Sequence, residues 1–232
     1  MLQLQATPLP PLYFPGIVEI YTLAFAGGNY ARWMAKTPAD GIVETADDIP
    51  PSRLQKTMRE IIHQEWNPRV VLVCALSDGK VIGYSLWILP ACLSRTETLP
   101  QFIYRKAMEQ KDSIEDWLFP QNWRNQRRFI KFCKAQAECA DNFLGKGRLD
   151  ETWYLKILAV HPEFQRRGVG GELLDWGLKQ AQERGENIYL ESSEVATGFY
   201  LKKGFKVLGM MVVEDKGDEL IDTCMLWTPS KL

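Results

Sequence analysis

Histidine is almost missing from this chain: His63 and His161 are the only two, so a histidine-rich metal site is excluded. The five cysteines (Cys74, Cys92, Cys133, Cys139, Cys224) are odd in number and show no paired C-x-x-C spacing. That pattern argues against both a zinc ribbon and a disulfide framework, and reads as reduced thiols in a reducing compartment. A formal net charge of −1 removes the global field that draws proteins to nucleic acid or anionic lipid. No apolar run approaches the roughly 20 residues that span a bilayer, and no basic segment with an apolar core opens the chain. The expectation is a soluble, cytoplasmic protein without metal, nucleic-acid or membrane partners. Charged residues at 25% and hydrophobic ones at 46% are globular values, and 232 residues suit one large domain or a domain with an insertion.

What is present is an alternation of strand and helix signals. Met1 to Ala6 predicts a short strand, and Gly16 to Ala26 a helix with Ile17, Ile20, Tyr21 and Ala24 on one face, stopped by Gly27-Gly28 and followed by a polar loop. Pro50-Pro51 opens a second helix bearing Leu54, Met58, Ile61 and Ile62. Val70 to Leu76 and Lys80 to Leu89 are strands joined by Ser77-Asp78-Gly79, a hairpin turn whose central residues must reach φ > 0. Residues 90–150 are polar, Gln-rich and helical by pattern. Within them, Trp123 to Leu144 predicts an amphipathic helix. Its apolar stripe is Trp123, Ile130, Cys133, Ala137, Ala140 and Leu144, and its basic one Arg124, Arg127, Arg128, Lys131 and Lys134. Such a basic stripe is either a solvated face or a contact for an anionic group. Thr152 to Val160 is strand-like, Glu172 to Glu183 helical with Gly185 as its stop, Asn187 to Glu191 a strand and Val195 to Lys203 a short helix. Lys206 to Val213 and Leu220 to Trp227 close as a hairpin. This order implies an α/β fold: a mixed sheet with helices on both faces, interrupted by a helical insertion between the third and fourth strands.

The segment that carries chemistry runs from Leu158 to Gly171. A buried strand ends at Val160, a turn follows, and Gln165-Arg166-Arg167-Gly168-Val169-Gly170-Gly171 leads straight into a helix. Backbone N–H groups converge at such a helix start, where the macrodipole favours an anion. Glycines let a phosphate approach the chain, and Arg166 and Arg167 add fixed charge. A lone Gly-x-Gly is as often only a tight turn. A dinucleotide fingerprint fits worse, because it needs a third glycine at another offset and an acid about 20 residues on, for which Glu191 is the single candidate.

Two motifs stand together here. Gln165-Arg166-Arg167-Gly168-Val169-Gly170, after Leu158-Ala159-Val160-His161-Pro162, is followed by Phe199-Tyr200-Leu201-Lys202-Lys203-Gly204-Phe205. With them the sequence resembles the GNAT superfamily of acetyl-CoA-dependent N-acetyltransferases, whose pyrophosphate motif is Gln/Arg-x-x-Gly-x-Gly/Ala. The close match covers about residues 152–213, and the element order extends it to nearly all of 1–232, one GNAT-like domain with an insertion at about 90–150. The resemblance implies a central twisted mixed sheet and acetyl-CoA as cosubstrate. It places the pantetheine along Leu158, Ala159 and Val160, the diphosphate on the amides of Arg166 to Gly171, and direct attack by a neutral primary amine in a ternary complex. Tyr200 takes the place of the family's general acid for the departing thiolate; a phenol pKa of about 10 and a thiol pKa of about 8.5 suit that transfer. Ser193, at a strand-to-helix junction, is either a pantetheine contact or a helix N-cap. Glu191 is the first candidate for the base, ahead of His161, while Tyr154 stands where some relatives carry a catalytic carboxylate. The expected acceptor is a small-molecule amine. A protein or peptide acceptor, or a non-catalytic acetyl-CoA-binding role, is the alternative. The chain is expected to be a monomer or homodimer.

Overall fold

The computed structural model describes residues 2–26, 28–34, 58–63, 66–118 and 126–230. Seven strands form one sheet: β1 (Gln3–Ala6), β2 (Val70–Ser77), β3 (Lys80–Ile88), β4 (Trp153–Val160), β5 (Ile188–Ser193), β6 (Lys206–Asp215) and β7 (Asp218–Trp227), in the order β1-β2-β3-β4-β5-β7-β6. Only β4 and β5 run parallel, and the crossover that a parallel pair requires is made by α5 (Val169–Arg184). The helices are α1 (Phe14–Phe25), α2 (Asn29–Met34), α3 (Leu99–Leu118), α4 (Gln126–Leu144), α5 (Val169–Arg184) and α6 (Glu194–Lys202), and residues 58–63 are also helical, with Met58, Ile61 and Ile62 packed inward as expected. The sheet is mixed with helices on both faces, as the element order implies, and α3 and α4 fall between the third and fourth strands. The β2–β3 turn has Asp78 at φ 51° and Gly79 at φ 76°, the twist that an Asp-Gly hairpin requires.

Alternation along the strands divides the core. On one face, Val73, Ala75, Trp87, Trp153, Leu155 and Leu190 meet Leu173, Leu174 and Ala181 of α5. The fit is close enough that a Cβ on Gly177 of α5 would lie 2.3 Å from the Trp87 ring. On the other face, α1 lays Phe14, Ile17, Val18 and Ile20 against Leu72, Cys74, Tyr84 and Leu86. Further along that face, Tyr154, Tyr189, Met211, Val213 and Cys224 pack with Trp33, Met34 and Ala140 of α2 and α4.

Three expectations change. The polar loop after Gly28 is instead α2, because Trp33 and Met34 drop into the core and Trp33 Nε1 donates to the Asp218 carbonyl. The apolar stripe of α4 is turned: Ile130, Cys133 and Ala137 are exposed, while Phe129, Phe132, Ala135 and Cys139 pack inward. The cause lies in the basic stripe, three of whose members are drawn to one buried carboxylate, while Lys134 stays exposed beside Glu138. Arg127, Arg128 and Lys131 pair with Asp215, a carboxylate 2% exposed at the β6–β7 turn, and Arg128 also reaches Asp218. The Lys131 ammonium, then Arg128 and Arg127, hold the Asp215 carboxyl below its ordinary pKa. Gly27, the polar loop from 35 to 49, Pro50, Pro51, Leu54, Trp123 and Arg124 lie outside the described residues.

Candidate active site

The loop between β4 and α5 is built around left-handed residues. Arg166 has φ 59° and Gly168, the residue before α5, φ 87°. Gln165 Nε2 donates to the Val160 carbonyl at 3.1 Å, tying the loop to the strand end. The first helical bond of α5 runs from Glu172 N–H to Gly168 at 3.1 Å. Among the described residues no acceptor takes the N–H groups of Arg166 to Gly171, so six successive amides are free at a helix start, where partial positive charge accumulates. Packing does not demand glycine here. A Cβ on Gly168 would meet nothing within 4 Å, and one on Gly170 would make an ordinary 3.6 Å contact with Val160. The small residues leave room on the outside of the loop. Arg166 and Arg167 are exposed, the latter over the Phe164 ring.

Beside this loop the sheet opens. The parallel pairing of β4 and β5 consists of Trp153 with Ile188 and Tyr154 with Tyr189, and goes no further. On its other edge β4 pairs with β3 through an irregularity. Ile157 stands opposite Leu86 and Leu155 opposite Trp87, which leaves Lys156 as an extra residue. Such a bulge bends its strand, and here it turns β4 away from β5. His161 N–H donates to the Ile82 carbonyl, so by alternation 159 and 157 also bond to β3. The N–H and C=O groups of Leu158 and Val160 therefore face the gap, while the backbone of Ala159 is used by β3.

At the mouth of the gap, Tyr154 and Glu191 meet. Tyr154 Oη donates to Glu191 Oε2 at 2.7 Å, and Gln136 Nε2 of α4 reaches Tyr154 Oη at 3.1 Å and the same carboxylate oxygen at 3.4 Å. Burial pushes the Glu191 pKa up to about 7, against the opposing effect of the Tyr154 hydrogen bond, and nearby Asp222 adds to the rise. The same enclosure raises the phenols of Tyr154 and Tyr189 well above their ordinary value and the Cys224 thiol to about 12. Tyr189 Oη is buried and, among the described residues, has no partner at hydrogen-bond geometry, although it stands close enough to Glu191 and Cys224 to affect both.

Tyr200 lies on the opposite face, 7% exposed, edge-on to Phe199 and Phe205. Its hydroxyl has no partner among the described residues, and burial raises its pKa above the value of about 10 expected for a free phenol. Ser193 holds the N-cap position of α6 but its hydroxyl makes no capping bond. His161 is employed elsewhere: Nδ1 accepts from Glu163 N–H and the ring stands against Phe164. Gln136 and Lys156 escape sequence reading. Gln136 comes from a helix with no motif, and Lys156 is placed by a bulge; the shared parity of Tyr154, Lys156, Tyr189 and Glu191 on parallel strands was the available signal.

A bent central strand, a free-amide loop at a helix start and a buried carboxylate beside the gap are features that suit acyl transfer from an anionic donor. The acetyltransferase (GNAT) domain family matches residues 97–222, more than half of the chain, and the chain belongs to that family. It is an N-acetyltransferase by family. An acetyltransferase of Stachybotrys chartarum is 27% identical over 226 residues, covering 92% of each chain. Among solved structures, the histone acetyltransferase HPA2 and related acetyltransferase from Corynebacterium glutamicum aligns over 99% of this chain and 98% of its own, with a TM-score of 0.53 and 19% identity. The polyamine N-acetyltransferase of Drosophila melanogaster aligns over 97% and 100%, with a TM-score of 0.53 and 8% identity. These two likenesses are of fold. No helix among the described residues is long and apolar enough to cross a membrane.

Proposed function

We propose that the protein transfers an acetyl group from acetyl-CoA to a primary amine of a small molecule, by direct attack in a ternary complex. The observation that carries this reading is the β4–β5 gap, where β5 leaves the backbone of Leu158 and the N–H of Val160 unpaired, followed in the chain by the unbonded amides of Arg166 to Gly171. In this reading the diphosphate rests on those amides, with Gln165, Arg166 and Arg167 around it and Gly168, Val169, Gly170 and Gly171 at the helix start. The pantetheine follows the strand edge toward Ser193, and an N–H in the gap stabilises the oxyanion. Glu191, with a pKa about 7, is suited to take the proton of the attacking amine near neutral pH. Tyr200 stays protonated and is suited to give one to the departing thiolate. The whole chain, 1–232, works as one domain, whose insertion at about 90–150 supplies Gln136 to the acceptor side.

Two measurements test it. Acetyl-CoA should bind the wild type in calorimetry and bind folded Gly170→Asp at least tenfold more weakly, since a carboxylate would occupy the phosphate position. Coenzyme A release should show a rate limb rising through pH 7 that Glu191→Gln removes. Undiminished binding by Gly170→Asp would overturn the cradle, and an unchanged limb would overturn the base.

A further inference from the structure

Lys156 is an oddity. It sits in a strand flanked on both sides by other strands, yet its side chain is exposed, so the sheet face above it is a cleft rather than core. Its parity is that of Tyr154, which packs with α2, α4 and Tyr189. Continuing the Tyr154–Tyr189 register by two residues sets Lys156 across from Glu191. A pair in register on neighbouring strands stands about 5 Å apart and would close as an ion pair. The bulge and the splay prevent that, and Lys156 makes no hydrogen bond or ion pair with any described residue. The surrounding protein still crowds it: burial, first among the causes, lowers its ammonium pKa, while Cys133 of α4 and Glu60 act in the other direction. Cys133 and Glu60 offset that cost only in part, so an exposed ammonium on this face has room for an anion that a ligand would supply.

We propose that Lys156 is a specificity-determining residue that selects acceptors bearing a carboxylate as well as the amine, so that the substrate class is amino-acid-like. The amine would lie toward Glu191 and the carboxylate toward Lys156, one on each side of the gap. This rests on the reading of Glu191 and the gap as the reaction site. The opposite signs of the two side chains match a zwitterion and disfavour a diamine, whose second ammonium would meet Lys156.

Matched pairs of an amino acid and its decarboxylated amine, such as phenylalanine with phenethylamine and lysine with cadaverine, test the proposal on the full chain. Binding to the coenzyme A-loaded protein is measured by equilibrium titration, and turnover separately by acetyl transfer. The carboxylate-bearing member of each pair should bind at least tenfold more tightly. Lys156→Ala and Lys156→Glu should abolish that preference, and Lys156→Arg retain most of it. In turnover the substitutions should raise KM for the amino acid and leave kcat and acetyl-CoA affinity within about threefold. Equal or tighter binding of the decarboxylated amines, or a preference that survives Lys156→Glu, overturns the role of Lys156. Loss of turnover for every amine, with the binding preference intact, would instead overturn the catalytic reading and leave the carboxylate contact standing.

Discussion

Tyr200 packs in the core and, in the proposed reaction, also supplies a proton. Its ring belongs to the α5-side core, with Phe199 and Phe205 edge-on to it at centroid distances of 5.1 and 5.6 Å. Its hydroxyl is left unpartnered among the described residues. Removing only the oxygen, as in Tyr200→Phe, keeps the ring contacts and should leave thermal stability unchanged. General acid catalysis contributes about 10²–10⁴-fold, so kcat should fall by a factor in that range with little change in acetyl-CoA affinity. Because burial raises this phenol, it remains protonated throughout pH 6–10. The wild type should therefore show no high-pH limb from Tyr200 in that window, and Tyr200→Phe should lower the whole profile without changing its shape. A kcat within about threefold of wild type, where chemistry limits the rate, would return Tyr200 to packing alone.

At the scale of elements, the position of α5 decides where the free amides point. The helix lies against the sheet because Gly177 lets the Trp87 indole come within what would be 2.3 Å of a Cβ. Trp87 is itself held by the hydrogen bond from Nε1 to Ser85 Oγ at 2.9 Å and by Trp153 and Trp176 around it, so it has little room to yield. Gly177→Ala should overpack this contact and cost roughly 1–3 kcal/mol, read as a lower denaturant midpoint. It should also weaken acetyl-CoA binding, because a shifted α5 carries the Arg166 to Gly171 amides with it. Intact stability would show that Trp87 can repack. The two motifs of this region were legible because their spacing is local: turn, glycine and helix start follow one another in sequence. The open edge at Leu158 and Val160 follows from a register shift opposite β3, which neither strand signals alone.

For the whole molecule, the insertion is joined to the sheet by charge. Asp215 is 2% exposed and receives Arg127, Arg128 and Lys131 from α4. A carboxyl whose folded pKa lies below its unfolded value of about 3.9 stabilises fully above that value, and the contribution disappears as pH falls through the folded pKa. Asp215→Asn should thus lower Tm at pH 7, and the gap to wild type should shrink as both are acidified below about pH 4. A constant gap would mean that the site is held by shape rather than charge. Loosening α4 also withdraws Gln136 from Glu191 and Tyr154, so Asp215→Asn should alter KM for the amine more than acetyl-CoA affinity. The sequence by itself determined the mixed sheet with helices on both faces, the turn at Asp78-Gly79 and the turn that leads from β4 into α5, since each rests on periodicity or on residues adjacent in the chain. Only the tertiary structure decided which side of α4 faces inward, that its basic stripe belongs to Asp215, and that Gln136, Tyr154, Lys156 and Glu191 surround one gap. Those groups come from three separate elements, and a bulge, a splay and a distant ion pair bring them together.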